Sequence, residues 1–194
     1  MKINIQIHDQ LAPEVSRFHA AIVDRRPLHA DLAGGVARML REHFVARGRE
    51  GNKRGWPSRK FWVREGRQNT SVTAISATGA EVTVASAAIA HKVAGGTIRA
   101  KRGRSLAIPL TAQAYAAGSP REGGIKDLFF VKAGGRALLA VAVQRGKKSF
   151  IKPHYLLTPS VTQRADPRAV PPEQDIDALI QTRADTWLAK HAPK

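Results

Sequence analysis

The amino-acid sequence predicts an α+β fold, with an antiparallel β-sheet packed against N-terminal helices and a C-terminal helix, and with a long basic arm. Helical periodicity occurs near both ends of the chain, and apolar residues alternate with polar ones in the middle. A Gly-rich basic segment separates the first helices from the strands. Because helices come first, strands next and a helix last, the order favours α+β over repeated β-α-β units. The 194 residues are predicted to form one domain, 1–194.

Two helices are predicted near the N-terminus, after a short strand at 3–7 in which isoleucine alternates with polar residues. The first helix follows a capping Asp9, and the second begins near Pro27 and has the clearest apolar stripe of the chain. Gly34 and Gly35 lie within that stripe, which indicates either a close approach by another backbone or a kink. The two stripes are Leu11, Val15, Phe18 and Ile22, then Leu28, Leu32, Val36, Met39, Leu40 and Phe44.

A basic loop or arm is predicted at 47–68, where glycine and proline are mixed with eight lysines and arginines. Loops longer than about 12–15 residues are usually functional or disordered, and the aromatic residues of this one argue against disorder. Trp56 and Trp62 therefore have two interpretations. They either contact a binding partner or close the edge of the hydrophobic core, and the sequence favours neither.

Two β-hairpins are predicted in the middle of the chain, because β-branched and small residues alternate on both sides of a tight turn. Residues 91–104 between them are predicted to be a basic connection, and 106–110 a short apolar segment ended by Pro109. The first hairpin comprises 71–76, Thr78-Gly79 and 81–85, and the second comprises 128–131, Gly134-Gly135 and 138–143.

One further strand and one further helix complete the predicted fold. The strand covers Tyr155 to Leu157 and Val161, and Pro153 and Pro159 restrict it to an edge or an end of the sheet. The helix is predicted at 173–190, with acidic residues in its first turn and apolar residues along one side.

The chain has 32 lysines and arginines against 15 aspartates and glutamates, a net charge of +17. The excess is central: +1 over 1–46, +10 over 47–104, +6 over 105–154 and 0 over 155–194. Charge confined to one stretch indicates an anionic partner, either nucleic acid or an acidic protein surface. The plainer alternative is a set of solvated basic loops without a specific partner.

Catalytic and metal-binding patterns are missing from the sequence. There is no cysteine, the seven histidines include no pair spaced by four, and the carboxylates of the basic middle are scattered. The segment 146–149 lacks the spacing of a phosphate-binding loop, and Ser149 to Lys152 lacks the companions of a serine acyl-enzyme. The sequence therefore predicts no enzyme, no catalytic residue, no metal site and no cofactor. Its apolar stretches are also shorter than the roughly 18 residues of a membrane span.

Short motifs in a fixed order nevertheless resemble those of tailed-bacteriophage virion morphogenesis proteins, specifically the Mu-like branch related to siphophage tail-completion and neck proteins. The resemblance runs from about residue 28 to the last helix. The motifs are Phe44, Asn52-Lys53-x-Gly55-Trp56-Pro57, Phe61-Trp62, Gly95-Gly96-Thr97-Ile98 with Lys101 and Arg102, Leu106-Ala107-Ile108-Pro109, Ala114-Tyr115, Ser119-Pro120-Arg121, Tyr155-Leu156-Leu157 and Ser160-Val161.

This resemblance implies a non-enzymatic structural protein of the phage neck or tail end, made in the host cytoplasm and located in the virion. It further implies a hexameric ring that docks other neck and tail-tube proteins. The positive charge of such a ring requires neutralisation, either by genomic DNA in the lumen or by acidic neighbouring proteins. The alternative is a basic module that binds nucleic acid through its phosphates. The residues predicted to contact a partner or DNA are Arg49, Lys53, Arg54, Trp56, Arg59, Lys60, Trp62, Lys101, Arg102, Arg104, Lys147 and Lys148. Structural motif residues are Gly95 and Gly96, predicted to allow a tight chain reversal, and Thr97, Ile98 and Pro109.

Overall fold

The computed structural model of the protein describes residues 11–52, 54–57, 60–101 and 105–192. It confirms the α+β class, with antiparallel sheets and with helices toward both ends. The chain divides into two compact units: the first comprises 1–46, 62–86 and 170–194, and the second comprises 47–61 and 87–169. The single domain over 1–194 stays a prediction. The strand predicted at 3–7 and the cap at Asp9 lie outside the described residues.

Within these ranges the chain forms five α-helices and eight β-strands. The helices are α1 (Leu11–Val23), α2 (Arg26–Arg49), α3 (Ala87–Ala94), α4 (Ala112–Ala117) and α5 (Glu173–His191). The strands are β1 (Thr70–Ile75), β2 (Ala80–Val84), β3 (Gly96–Arg99), β4 (Leu106–Pro109), β5 (Phe129–Ala133), β6 (Arg136–Arg145), β7 (Lys148–Thr158) and β8 (Ser160–Gln163). A π-helical turn covers Trp62–Gly66, and 3₁₀ turns cover Arg67–Asn69 and Pro120–Glu122.

The first unit is built around α2, of whose predicted stripe Leu40 and Phe44 are buried and the other residues are half-buried. Phe44 is fully buried and its ring stacks on Trp62, with 6.3 Å between the ring centroids. Gly66 lies against the same ring, where an added Cβ would clash with it. The π-helical turn is thereby fixed to α2, and the β1–β2 hairpin follows it with the predicted turn at Thr78-Gly79.

The glycines of α2 do not interrupt the helix. Gly35 is buried because the side chain of Arg183, from α5, crosses directly over it. The guanidinium of Arg183 then donates hydrogen bonds of 2.8 and 2.9 Å to the two carboxylate oxygens of Asp31. The predicted close approach is found at Gly35 alone, where an arginine side chain makes it rather than another backbone, and nothing lies within 4 Å of a Cβ added at Gly34.

The second unit contains a four-stranded antiparallel sheet in the order β4-β7-β6-β5 and a separate antiparallel pair, β3 with β8. The predicted turn at Gly134 and Gly135 joins β5 to β6, and both residues have φ values (56° and 73°) that favour glycine. On one face of the larger sheet, Tyr155 is fully buried with Ala114 and Ile125. The hydroxyl of Tyr155 donates to the carbonyl of Ala114 at 3.2 Å, which holds α4 on the sheet.

The prediction that Pro153 and Pro159 confine their strand to an edge or an end is wrong. β7 has eleven residues and lies between β4 and β6. Pro153 is accommodated because the register with β6 shifts there, and because β4 pairs only with Tyr155–Thr158 and leaves Pro153 without a neighbour on that side. Pro159 separates β7 from β8, whereas the sequence predicts a single strand there.

The predicted basic connection at 91–104 is also corrected, since it contains the second half of α3 and all of β3. α3 has only eight residues, too few for helical periodicity to be recognised, and Gly95 ends it by donating to the carbonyl of His91 at 2.8 Å. The predicted arm at 47–68 is shortened at both ends. Residues 47–49 continue α2, and 62–69 form helical turns because Trp62 packs on Phe44. The predicted C-terminal helix at 173–190 is confirmed as α5, one residue longer.

A buried histidine links α4 to β7, and we expect it to make the stability of the fold depend on pH. His154 is buried, its Nδ1 lies 3.0 Å from Thr111 Oγ1, and that hydroxyl caps α4 by accepting from Ala114 N. Burial lowers the pKa of His154 below its ordinary value, and the charge of Lys152 lowers it further. The unfolded chain therefore takes up this proton before the folded protein does.

We expect the free energy of unfolding to fall as the pH drops below about 6.5, by at most about 1.4 kcal/mol per pH unit for this one proton. Urea unfolding at about pH 7.5 and about pH 5.5 measures the loss, with His154→Gln as the comparison. The substitution should remove this group's share of the pH dependence. An equal loss in both proteins would contradict the assignment to His154.

Candidate functional site

The net charge of the protein lies entirely on the second unit. That unit has 21 lysines and arginines against 4 aspartates and glutamates, whereas the first unit has 11 of each. The second unit therefore carries +17 and the first carries 0. Because four carboxylates cannot neutralise 21 cations, the second unit is a strongly positive surface that attracts anions.

Three of these four carboxylates already have partners inside the second unit. Glu50 forms ion pairs with Arg47 and Arg168, and Asp166 binds Arg47 at 2.8 Å. Burial alone would raise the pKa of Asp166, but the hydrogen bond from Arg168 N and the charges of Arg47 and Lys92 outweigh burial and lower it. The carboxylate of Glu122 accepts from Ser119 N in a capping box. These carboxylates stabilise the local fold and leave most of the positive charge uncompensated.

The start of the predicted arm forms a turn organised by one asparagine. The side chain of Asn52 accepts from the backbone N–H groups of Arg54 and Trp56 and donates to the carbonyl of Trp56. Trp56 is half-buried and packs on Tyr115 at 5.4 Å between ring centroids, with the guanidinium of Arg54 4.8 Å above its ring. The Asn52-to-Trp56 motif thus holds the arm against α4 through the contact between Trp56 and Tyr115.

The two tryptophans of the predicted arm, Trp56 and Trp62, belong to different units. Trp56 packs in the second unit, while Trp62 stacks on Phe44 in the first. Both rings are in contact with aromatic residues of the protein, so a partner contact by either stays a prediction. Arg49 and Lys60 are exposed. Lys53, Arg59, Arg102 and Arg104, also predicted to contact a partner, lie outside the described residues.

The glycines of the Gly95-Gly96 motif allow a close contact between two strands. Both have positive φ, 69° and 129°, and the backbone of Ala165 passes so near Gly95 that an added Cβ would lie 2.6 Å from its nitrogen. Thr97 and Ile98 follow in β3, which pairs with β8, and the Thr97 hydroxyl lies 2.9 Å from that of Thr162. The predicted chain reversal therefore places β3 beside β8.

An open groove of about 730 Å³ lies on the face of the larger sheet in the second unit. Its floor is apolar, and Lys101 and Arg121 stand among the residues that line it. Phe130, on the edge strand β5, is 56% exposed beside it. Pro109, the remaining motif residue, lies in β4 opposite Tyr155. The apolar residues of the sheet that line the groove are Leu106, Ala107, Ala137, Leu139 and Leu157.

The longest paired strands of the protein form a second surface feature. In the described part of the chain, β5 pairs with β6 only at 136–140, and β4 pairs with β7 only at 155–158. Residues 141–152 therefore extend past both neighbours as a two-stranded hairpin, which we call the ribbon. Its turn is Gly146-Lys147, and the predicted contact residues Lys147 and Lys148 are exposed at its tip.

Comparison of the chain with protein-family models, with curated proteins and with solved structures finds no match in any of the three. The phage-family resemblance therefore rests on the motifs themselves. In the described ranges, every helix is too short or too polar to span a lipid bilayer. Over the same residues, no three side chains of the histidine, cysteine, aspartate and glutamate types are grouped as metal ligands.

Several candidate contact residues are missing from the sequence prediction. Phe150 is 45% exposed and Ile151 54% exposed on the ribbon, next to Lys152, and Phe130 and Arg121 stand at the groove. Residues 148–152 read Lys-Ser-Phe-Ile-Lys, in which polar and apolar residues do not alternate, so the local pattern predicts no strand there. Together, the groove and the ribbon offer cations beside exposed apolar side chains, a surface suited to binding.

Proposed function

We propose that the protein is a structural component of a tailed-phage particle, a tail-completion or head–tail joining protein that assembles as a ring and docks neck and tail-tube proteins. The observation that carries the proposal is the location of the phage-like motifs. Short segments far apart in the sequence pack together as the core of the second unit. Trp56 meets Tyr115, Tyr155 bonds to Ala114, and Pro109 pairs with Tyr155.

This packing supports the resemblance because several of the matched residues, far apart in the sequence, contact one another. Here the matched residues are mutually dependent: Asn52 orders the turn that presents Trp56, and Tyr115 lies on α4, which Tyr155 anchors. The motifs that contain Trp56, Pro109, Tyr115 and Tyr155 are therefore parts of one packed arrangement in the second unit, while Phe44 and Trp62 pack on each other in the first.

The edges of the larger sheet supply surfaces for assembly. β4 and β5 are its edge strands, and Phe129 and Phe130 on β5 are both exposed. An edge strand presents unpaired N–H and C=O groups that can pair with another chain. A ring requires two different surfaces on each subunit, and two unlike edges meet that requirement.

The decisive test uses the genome that encodes the chain. Deleting its gene should leave heads and tails that do not join, and supplying the wild-type gene should restore joined particles. Mass spectrometry of purified particles should detect the chain in a fixed ratio to the portal protein. If joined particles form without the gene, or if the chain is absent from them, the proposal fails.

The purified chain provides the control for ring formation. Light scattering should give a monomer or a weak, salt-sensitive association, because copies that each carry +17 repel one another without an anionic partner. Rings should form when neck or tail proteins of the same particle are added. A stable small dimer in both conditions would argue strongly against a ring.

A further inference from the structure

The ribbon has the dimensions of a structure that enters a nucleic-acid groove. From Val141 to Arg145 and from Lys148 to Lys152 each strand has five residues, so the ribbon extends roughly 17 Å. The major groove of B-DNA is about 12 Å wide and admits a two-stranded β-ribbon. The ribbon is held in place because its two strands continue β6 and β7 out of the four-stranded sheet.

The side chains of the ribbon alternate in a way that fits this use. Lys148, Phe150 and Lys152 follow one another at every second position of β7, so they share one face, and all three are exposed. Lys147 is exposed in the turn. A lysine therefore stands on each side of the Phe150 ring along the strand. Lysine is depleted at the centres of protein–protein interfaces, so this pattern favours an anionic polymer over a protein surface.

The surrounding sequence cannot neutralise the ribbon. Between Asp127 and Asp166 there is no acidic residue, and this stretch contains seven lysines and arginines. It includes β5, β6, β7 and β8 in full. Any carboxylate that forms an ion pair with the ribbon must therefore come from outside residues 128–165.

We propose that the ribbon binds double-stranded DNA, with Lys147, Lys148 and Lys152 on the phosphates and Phe150 against the groove wall. DNA binding at this site goes beyond the proposed phage function and does not require it, since any duplex would satisfy the same chemistry. Most of its free energy would come from counterion release, so it would be independent of base sequence and strongly dependent on salt.

The test measures fluorescence anisotropy of a labelled random-sequence duplex of about 30 base pairs with the full-length protein over a range of salt concentrations. Replacing Lys147, Lys148 and Lys152 by glutamine should reduce the slope of log K against log salt by about 2.7 units, because each phosphate contact contributes about 0.9. Phe150→Ser should weaken binding with an unchanged slope, because an apolar contact releases no counterions.

The matched control replaces Lys126, Lys132 and Arg136 by glutamine, three exposed cations of the same unit outside the ribbon. Its net charge equals that of the ribbon variant, and its slope should stay near wild type. Equal losses in both variants would mean binding spread over the whole unit and would overturn the proposal. A wild-type protein that does not bind the duplex at about 50 mM salt would also overturn the proposal.

If light scattering shows that the ribbon substitutions change self-association instead of DNA binding, the ribbon is a protein interface and the proposal is wrong. Circular dichroism confirms that each variant is folded.

Discussion

Phe44→Ala is expected to lower the free energy of unfolding by about 3–5 kcal/mol. Phe44 is 0% exposed, stacks on Trp62 and covers Gly66, so its removal opens a cavity beneath the π-helical turn. The cavity cannot be filled by a rearrangement of α2, because Ala37 and Leu40 on the preceding turns are already buried. Urea unfolding followed by tryptophan fluorescence measures the effect, and Trp62 should report the lost contact directly.

Phe130→Ala is the control for the loss of an aromatic ring as such. Phe130 is 56% exposed on an edge strand, so its removal should change the free energy of unfolding by less than about 0.5 kcal/mol. A loss below about 1 kcal/mol for Phe44→Ala would contradict the placement of this ring in a closed core.

Phe44 and Trp62 also mark the limit of what the sequence predicts. Phe44 is recognisable because it belongs to a helical stripe, a pattern local to some seventeen residues that needs no knowledge of the fold. Trp62 lies in a segment with glycines and charges, and only its tertiary contact with Phe44 makes that segment helical. Local patterns therefore predicted α1, α2, α5 and the two hairpins, while elements that depend on distant contacts were missed.

The sequence also predicts the position of the positive charge only in part. Counting charge along the sequence located the excess in the middle, but it included Arg64 and Arg67, which belong to the electroneutral first unit. Each unit combines separate segments of the chain, and no pattern within one segment predicts which other segments it packs against. The ribbon was missed for a related reason: Pro153 is compatible with a long strand only because β4 ends before reaching it.

Gly95→Ala is expected to lower the free energy of unfolding by about 2–5 kcal/mol. Two effects add. The φ of 69° is unfavourable for any residue with a Cβ, and that Cβ would lie 2.6 Å from Ala165 N and 3.0 Å from Gln163 O. These are backbone atoms at the end of β8 and just after it, so they cannot move aside as a flexible side chain would. Urea unfolding gives the loss, and hydrogen exchange of the β3 amides should show that β3 and β8 separate first.

Gly123 separates the two effects, because its φ of 72° matches that of Gly95 while nothing lies within 4 Å of the position of its Cβ. Gly123→Ala should therefore show the conformational effect alone, about 1 kcal/mol. Asparagine tolerates this region of φ, so Gly123→Asn should be nearly neutral, whereas Gly95→Asn should remain strongly destabilising through the clash. Equal losses at the two positions would mean that backbone conformation alone requires glycine at 95. A larger loss at Gly95 means that glycine is needed there because the chain after β8 passes over it. Through this contact the chain reversal after α3 positions β3 beside β8.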